Sequence, residues 1–415
     1  MNKPTTLRLS NGLTIVAESV PSTAVSCHVV LPIGSAIETD AINGMAHFLE
    51  HMIFKGTPSL AVGEFEQRLE SVGAIANAAT SQDYTQYYFT CAPQDFAQLA
   101  PLQLEILSQA AIPEEAFELE KLVILEEIRR SEDNLQRRAY QWMVDLACAH
   151  QPYRRPILGP ESVIANLQAQ QMRDFHGNWY SPDLMTIAVV GNLPIDQLIE
   201  PVIKTLDGFS PSNHPRLPTL QPEPPFPGIT QHEHRDPRLQ QTRLMLVWRV
   251  PGLNQLEQTY ALDMLAVILG QGKTSRLWQD LREKRRLVQY ISVSNITYLW
   301  QGLFLIGMYV EAAQISQVVE IIQQHIADLH NQPVTALEME RVKRLAINRF
   351  IFGGEKPSDR ASLYSYHQSL FGSLTPALEY PQTIQKLHSL DLQLAARQYL
   401  AINRHGIITA QPAAT

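Results

Sequence analysis

The two halves of the chain carry the same order of sequence patterns. In each half a strand-like run, "HVVLPIG" or "MLVWRVPG", leads to an apolar helical stretch that ends in glycine, and a second helix and further strands follow. A stretch in which prolines are frequent and apolar periodicity is lost separates the halves. This repeat predicts an α+β fold with two homologous domains, residues 1–207 and 238–415, joined by a proline-rich linker at residues 208–237.

Composition restricts the class of protein. The 415 residues are 45% hydrophobic and 18% charged, which suffices for two or three globular domains. The formal net charge is -8, and lysines and arginines form no long run, so we expect no nucleic-acid partner. No segment resembles a signal sequence or reaches the roughly 18 uncharged apolar residues of a membrane span. The three scattered cysteines favour a reducing compartment. We therefore expect a cytoplasmic protein.

The segment "NGMAHFLEHMIFKGTP" at residues 43–58 predicts a helix packed against a core. Its apolar residues recur at helical spacing, namely Met45, Phe48, Leu49, Met52 and Ile53. Asp40 or Asn43 is suited to cap the start of this helix, and Gly56 with Pro58 ends it. We expect the element to be buried or half-buried.

Three chemically active side chains share this helix. His47 and His51 are one turn apart, and Glu50 lies beside them. Two imidazoles at this spacing can bind one zinc ion, and a neighbouring carboxylate can take a proton from water. The alternative is an ordinary solvated polar face, but the apolar flanks favour a desolvated surface, where an unpaired carboxylate is costly. The second half has "DMLAV", residues 263–267, at the matching place, which predicts no metal site there.

A catalytic zinc ion needs a third protein ligand and an open position. Residues 112–134 predict a helix with acidic residues in its first turn and arginines near its end. Glu120 and Glu127 are seven residues apart and so lie on nearly the same side, whereas Glu126 points away and can pair with Arg130. The spacing leaves both Glu120 and Glu127 open as the third ligand.

The H-x-x-E-H order of "HFLEH", followed 76 residues later by the second glutamate of "VILEEIRR", resembles one family of peptidases. It is the family of pitrilysin, insulin-degrading enzyme and mitochondrial processing peptidase, the inverzincins. Further similar motifs are "ANAATSQDYTQYY", "QPYRRPILGPESVI", "YSPDLMTIAVVGN" and "SRLWQDLREKRRLVQY". The resemblance implies a two-domain bacterial-type subunit, in which each domain is an antiparallel-rich sheet packed with helices. It also implies that two subunits enclose a clam-shell chamber in which short or unfolded peptides are cleaved.

Carried over position by position, the resemblance assigns roles to the residues of the two helices. It implies one zinc ion per chain, bound by His47, His51 and Glu127. Glu50 is implied as the general base that activates water. Glu120 is implied as an acid that supports the site from its outer shell.

A strand rich in small side chains is the candidate for binding the substrate. In "AIANAATSQDYTQYYFT" the small residues would let another backbone approach a strand edge. The resemblance implies that Asn77 and Ala78 form this edge, where a peptide adds as a strand through main-chain hydrogen bonds. The alternative is an internal strand whose small residues serve packing.

The second half departs from the family pattern. Family members often carry an arginine and, seven residues later, a tyrosine, which together orient the peptide. Here Arg282 is followed at seven by Gln289, and Tyr290 stands one residue further on. Either a longer turn lets Tyr290 reach the same place, or a related subunit supplies the pair. The resemblance therefore implies a homodimer or a heterodimer.

The sequence leaves two functions of different classes. One is a zinc metalloendopeptidase that acts on peptides. The other is a non-catalytic scaffold or polypeptide-binding subunit of the same family. The intact set of metal-binding residues favours the enzyme, because non-catalytic relatives usually lose that set.

Overall fold

The computed structural model describes residues 4–206 and 208–413. These residues form two compact units, each with its own sheet. The first unit comprises the chain up to Arg130, Arg155–Pro218 and Ile351–Leu378, and the second comprises Ser131–Arg154, Thr219–Phe350 and the chain from Glu379 onward. The predicted α+β class with two domains is confirmed.

A six-stranded sheet forms the base of the first unit. Its strands are β1 (Thr5–Arg8), β2 (Thr14–Ser19), β3 (Val25–Leu31), β4 (Ile75–Thr80), β5 (Thr85–Cys91) and β6 (Thr186–Gly191). Their order is β1-β2-β6-β3-β5-β4, and all pairs are antiparallel except β2 with β6. The strand β4 therefore lies at one edge of the sheet, with one of its sides left unpaired.

A five-stranded sheet forms the base of the second unit. Its strands are β7 (Thr230–Arg235), β8 (Thr242–Val250), β9 (Val288–Thr297), β10 (Gly302–Val310) and β11 (Gly406–Gln411). Their order is β7-β11-β8-β10-β9, antiparallel except for β7 with β11. Both sheets are thus rich in antiparallel pairs, as predicted.

The helices cover the two sheets. In chain order they are α1 (Met45–Met52), α2 (Glu64–Ser71), α3 (Phe96–Ser108), α4 (Glu114–Asp133), α5 (Leu135–Ala147), α6 (Glu161–Ile164), α7 (Ala169–Trp179), α8 (Ile195–Leu206), α9 (Leu256–Gly270), α10 (Ile315–Asn331), α11 (Ala336–Phe352), α12 (Pro357–Phe371), α13 (Thr375–Leu378), α14 (Tyr380–Lys386) and α15 (Ser389–Tyr399). A π-helical segment, Trp278–Lys284, follows α9. Within the described residues no helix has the length and apolarity needed to cross a membrane.

The compact units are not contiguous halves of the chain, so the predicted boundaries at residues 207 and 238 do not delimit them. The helix α5 belongs to the second unit, where it contacts β8 and β11, and α12 belongs to the first unit, where it contacts β3 and β6. Ala361 and Tyr364 of α12 pack on Val16, Ala188 and Val190, which face away from the main core. Because helices cover both faces, β3 and β6 are buried along their whole length.

The predicted linker at residues 208–237 contains a strand. Its described residues have no helix or strand until β7, which pairs in parallel with β11 over all six residues. The sequence of β7, "TQHEHR", has exposed or half-buried side chains throughout, so it carries no apolar alternation. Backbone pairing rather than side-chain burial forms this strand, which is why the sequence pattern missed it.

Candidate metal centre

The helix α1 forms where the apolar spacing predicted it. Met45, Phe48, Leu49 and Met52 are fully buried in the core of the first unit. The predicted caps were wrong, because the helix starts after Gly44 without a side-chain cap from Asp40 or Asn43.

Glu38 takes the place of the predicted caps. Its Oε1 accepts a hydrogen bond from the backbone N–H of Ala46 at 2.7 Å, and its Oε2 accepts from the N–H of Gly44 and the side chain of Asn43, both at 2.8 Å. Burial raises the pKa of Glu38 to about 7 against the opposing effect of these hydrogen bonds. A carboxylate from the preceding loop thus satisfies the first amides of the helix that carries the histidines.

The side chains of His47, His51 and Glu127 converge. Nε2 of His47 and Nε2 of His51 each lie 3.8 Å from Oε2 of Glu127, and one ligand atom from each residue lies within 4.8 Å of the others. A tetrahedral zinc ion with ligands at about 2.1 Å places them roughly 3.4 Å apart, so small side-chain shifts suffice. Two imidazoles and one carboxylate are a donor set that fits zinc. No second such group occurs among residues 4–206 and 208–413.

Glu120 lies behind His51 instead of within the cluster. Its Oε1 accepts a hydrogen bond from Nδ1 of His51 at 2.9 Å, and its Oε2 lies 2.7 Å from Nζ of Lys55. The hydrogen bond from His51 and the ion pair with Lys55 lower the pKa of Glu120 to about 2, although burial opposes this. With a proton on Nδ1, His51 can present the lone pair of Nε2 to a metal ion on the side of the ring where Glu127 lies. Of the two acids that the spacing left open, Glu127 is the one whose carboxylate lies beside Nε2 of both histidines.

The two imidazoles have different electrostatic surroundings. Burial, followed by the charge of His51, lowers the pKa of His47 to about 3, so that this ring is neutral. Burial lowers the pKa of His51, but the hydrogen bond and charge of Glu120 and the charges of Glu50 and Glu127 outweigh it, and the net pKa is raised. Nδ1 of His47 is buried and has no hydrogen-bond partner among the described residues.

Glu50 sits beside the cluster and is 9% exposed. Its Oε2 accepts a hydrogen bond from Oγ1 of Thr80 at 2.5 Å. Burial raises the pKa of Glu50, with a further contribution from the charge of Glu127, while Thr80 and His51 oppose the rise. As a buried carboxylate beside the cluster with a raised pKa, Glu50 is suited to exchange a proton.

The predicted substrate strand lies at a sheet edge. Asn77 and Ala78 belong to β4, and Asn77 is exposed whereas Ala78 is half-buried. The backbone N–H of Ala78 donates to Oδ1 of Asn77 at 2.9 Å. A groove of about 550 Å³ runs along this edge and is lined by both residues as well as by Glu50 and His51.

Arg282 and Tyr290 lie in the second unit and meet at one tryptophan. The guanidinium of Arg282 stacks 4.1 Å from the ring of Trp278, and the Tyr290 ring packs edge-on against the same Trp278 at 6.5 Å. In the pairing of β9 with β10, Tyr290 is opposite Tyr309, and the next pair skips Gln289. The strand therefore has a bulge at Gln289, between Arg282 and Tyr290. Tyr290 is 48% exposed.

Three further residues, Glu38, Lys55 and Thr80, contact the site or its helix, and no sequence pattern indicates Thr80 or Glu38. Thr80 is 30 residues from Glu50, and the contact depends on how β4 packs beside α1. A side-chain cap normally stands directly before the first helical residue, whereas Glu38 stands six residues before the N-cap position, Gly44. Lys55 stands four residues after His51, and this helical spacing is a local signal that could have placed Lys55 near the site.

Comparison with known proteins identifies the family. Residues 14–161 match the model described as insulinase (peptidase family M16), and residues 166–346 match the model described as peptidase M16 inactive domain. The chain belongs to the insulinase (M16) family. The first M16 segment contains the three residues of the candidate metal centre, and no such group occurs among the described residues of the second. The assignment agrees with the resemblance to pitrilysin and its relatives.

Relatives of this M16 chain cover nearly its full length. The "Uncharacterized zinc protease YmxG" of Bacillus subtilis is 28% identical over 363 residues, which is 87% of each protein. The "Zinc protease PqqE" of Helicobacter pylori is 27% identical over 99% of this chain and 93% of the relative. A crystal structure of a protease from Helicobacter pylori superimposes with a TM-score of 0.91 at 25% identity and covers 99% of both chains.

Proposed function

We propose that the protein is a zinc-dependent endopeptidase that cleaves short or unfolded peptides. The convergence of His47, His51 and Glu127, with Glu50 alongside, is the observation that carries this proposal. Zinc bound by the three residues would polarise the substrate carbonyl and lower the pKa of water. The zinc-protease names of the relatives support zinc as the metal, and we propose one such ion per chain.

Glu50 is the residue that moves the proton. Thr80 holds the carboxylate of Glu50, which would accept a proton from the attacking water and then deliver that proton to the leaving amine. The pKa of Glu50, which burial raises, brings the carboxylate closer to the pH at which it can both accept and release a proton. His51 keeps its orientation through Glu120, so that its Nε2 faces the cluster.

The peptide substrate is held as an added strand on β4. The free edge of β4 lies next to α1, and main-chain hydrogen bonds at Asn77 and Ala78 would bind the peptide without regard to its sequence. The side chain of Asn77 must release the N–H of Ala78 for this pairing. Such a mode favours extended, unfolded segments over folded proteins.

The chamber around the peptide is proposed to form from two subunits. Arg282 and Tyr290 would orient the bound peptide, and their shared contact with Trp278 supports a joint role. A homodimer supplies the pair from a second copy of this chain, and a heterodimer supplies it from a related subunit. Activity of the purified chain alone that falls in the Tyr290→Phe variant supports the homodimer. An inactive chain that gains activity with a related subunit supports the heterodimer.

The Glu50→Gln variant tests the proposed chemistry. We expect it to bind one zinc ion per chain, measured by elemental analysis, and to lose nearly all cleavage of quenched-fluorescence peptides. Retained cleavage in this variant would refute the role of Glu50. Metal-free protein with normal folding would favour the alternative, a non-catalytic scaffold or polypeptide-binding subunit of the family.

A further inference from the structure

A groove beside the metal centre carries negative charge that the proposed chemistry does not use. It is the groove of about 550 Å³ that shares Glu50 and His51 with the metal centre. The helix α2 forms one wall, and residues 74–78 on and before β4 form the other. A peptide bound along β4 would therefore pass over this groove.

The floor of the groove is apolar. Phe65 and Leu69 of α2 are buried, and Phe54 packs against Phe65 with ring centroids 5.9 Å apart. A floor of this kind takes the methylene stem of a long side chain and excludes water from it. It offers no polar partner to a short polar side chain.

Two carboxylates of α2 line the same groove, and neither forms an ion pair with a lysine or arginine among residues 4–206 and 208–413. Glu66 and Glu70 are four residues apart, so they lie on one face of the helix, where like charges repel. Oε2 of Glu66 is buried and has no hydrogen-bond partner among the residues that the structure describes. The lysine of the groove, Lys55, is already paired with Glu120 at 2.7 Å. The groove is therefore apolar at its floor and negatively charged along α2.

We propose that this groove binds a lysine or arginine side chain of the peptide, next to the bond that is cleaved. The inference rests on the proposed peptidase function and adds the class of substrate. The aliphatic stem packs on Phe65 and Leu69, and the cationic head pairs with Glu66 and Glu70. Because alternate side chains of an added strand point to one face, one side chain near the metal centre enters the groove.

The test uses peptides that differ at one position and carry lysine, norleucine or glutamate there. The substituted position is moved through the residues on either side of the cleaved bond. At one position we expect the zinc-loaded wild type to show a kcat/KM about tenfold or more higher for lysine than for norleucine, with glutamate lowest. In the Glu66→Gln, Glu70→Gln double variant, the ratio of kcat/KM for lysine to kcat/KM for norleucine should fall toward one. Glu66→Lys should raise the relative kcat/KM for glutamate.

The matched control is Glu64→Gln. Glu64 lies on the same helix, but it pairs with Arg68 and accepts from the N–H of Ala61 instead of lining the groove. This variant should keep the wild-type preference for lysine. Loss of the preference in the control would attribute it to overall charge and overturn the groove assignment.

The two proposals can fail separately. Peptide cleavage that ignores lysine at every position overturns the cationic subsite and leaves the peptidase function standing. Absence of any cleavage by the zinc-loaded protein, alone or with a related subunit, overturns the peptidase function. In that case the affinity of the Glu50→Gln variant for labelled lysine and norleucine peptides still tests whether the groove binds a cationic side chain. Equal Kd values for the two peptides would refute the cationic subsite.

Discussion

Oε1 of Glu120 accepts a hydrogen bond from Nδ1 of His51 at 2.9 Å, on the side of the ring that faces away from Glu127. This contact fixes the tautomer in which Nε2 is free to bind a metal. Glu120 in turn is held by Lys55. The orientation of one imidazole therefore depends on a residue that does not belong to the cluster.

The Glu120→Gln variant should bind zinc more weakly. We expect the Kd for zinc to rise about tenfold, because the amide keeps the shape of the side chain but removes the charge that supports His51. Competition with a chelator of known affinity measures this. Glu118→Gln is the control, since Glu118 lies on the same helix and pairs with Lys121. Equal zinc affinity of the two variants would contradict the supporting role of Glu120.

The Thr80→Ala variant should impair catalysis without loss of metal. The hydrogen bond from Thr80 to Glu50 is made to a charged group, and its loss lets the carboxylate turn away. We expect kcat to fall about tenfold or more, because a hydrogen bond to a charged group contributes about 1.5–3 kcal/mol. Thr80→Ser keeps the hydroxyl and should restore most of kcat. Steady-state kinetics at constant zinc content measures kcat. An unchanged kcat in the Thr80→Ala variant would exclude a role of Thr80 in positioning Glu50.

The Glu38→Ala variant should destabilise the metal-free protein. It leaves the buried N–H groups of Gly44 and Ala46 without an acceptor, which costs about 2–4 kcal/mol in the free energy of unfolding. Chemical denaturation measures the difference. Asp40→Ala removes an exposed carboxylate that was one of the two predicted caps, and its effect should stay below about 1 kcal/mol. The reverse order of the two effects would show that Glu38 is not the cap.

The pair of Glu338 with Arg276 should make stability depend on pH. Two hydrogen bonds from Arg276, at 2.7 and 2.8 Å, lower the pKa of Glu338 from 4.5 to about 2 in the folded protein. The ionised group stabilises the fold above pH 4.5, and this contribution is lost as the pH falls toward 2.

Glu338→Gln should therefore lower the free energy of unfolding by about 2–3 kcal/mol at pH 7, and the difference should shrink as the pH falls below 4.5. Denaturant titrations at several pH values measure it. Glu340→Gln removes an exposed carboxylate paired with Arg344 and should change stability by less than about 0.5 kcal/mol. A Glu338 effect that is constant with pH would contradict the ion-pair origin.

The local patterns predicted the elements that carry the site better than they predicted how those elements meet. Helical spacing predicted α1 and placed His47, Glu50 and His51 together, because all three depend on one short helix. Glu120 and Glu127 could not be separated by spacing. They lie on one side of α4 but about 10 Å apart along its axis, so the crossing point with α1 decides which of them meets the histidines.

No sequence pattern predicted that α5 belongs to the second unit and α12 to the first, and the reason is related. Periodicity shows that a helix has an apolar face but not which sheet that face covers. The prediction of the caps was wrong because it considered residues close to the helix in sequence, Asp40 and Asn43. Glu38 stands earlier in the chain and accepts the hydrogen bonds of the first amides instead. Strand β7 was missed because its side chains remain exposed or half-buried.

Anomalous diffraction at the zinc edge from crystals of the zinc-loaded protein tests the central claim most directly. We expect one zinc peak per chain, about 2.0–2.2 Å from Nε2 of His47, Nε2 of His51 and a carboxylate oxygen of Glu127. A zinc ion held by Glu120 in place of Glu127, or no zinc between the two imidazoles, would contradict it.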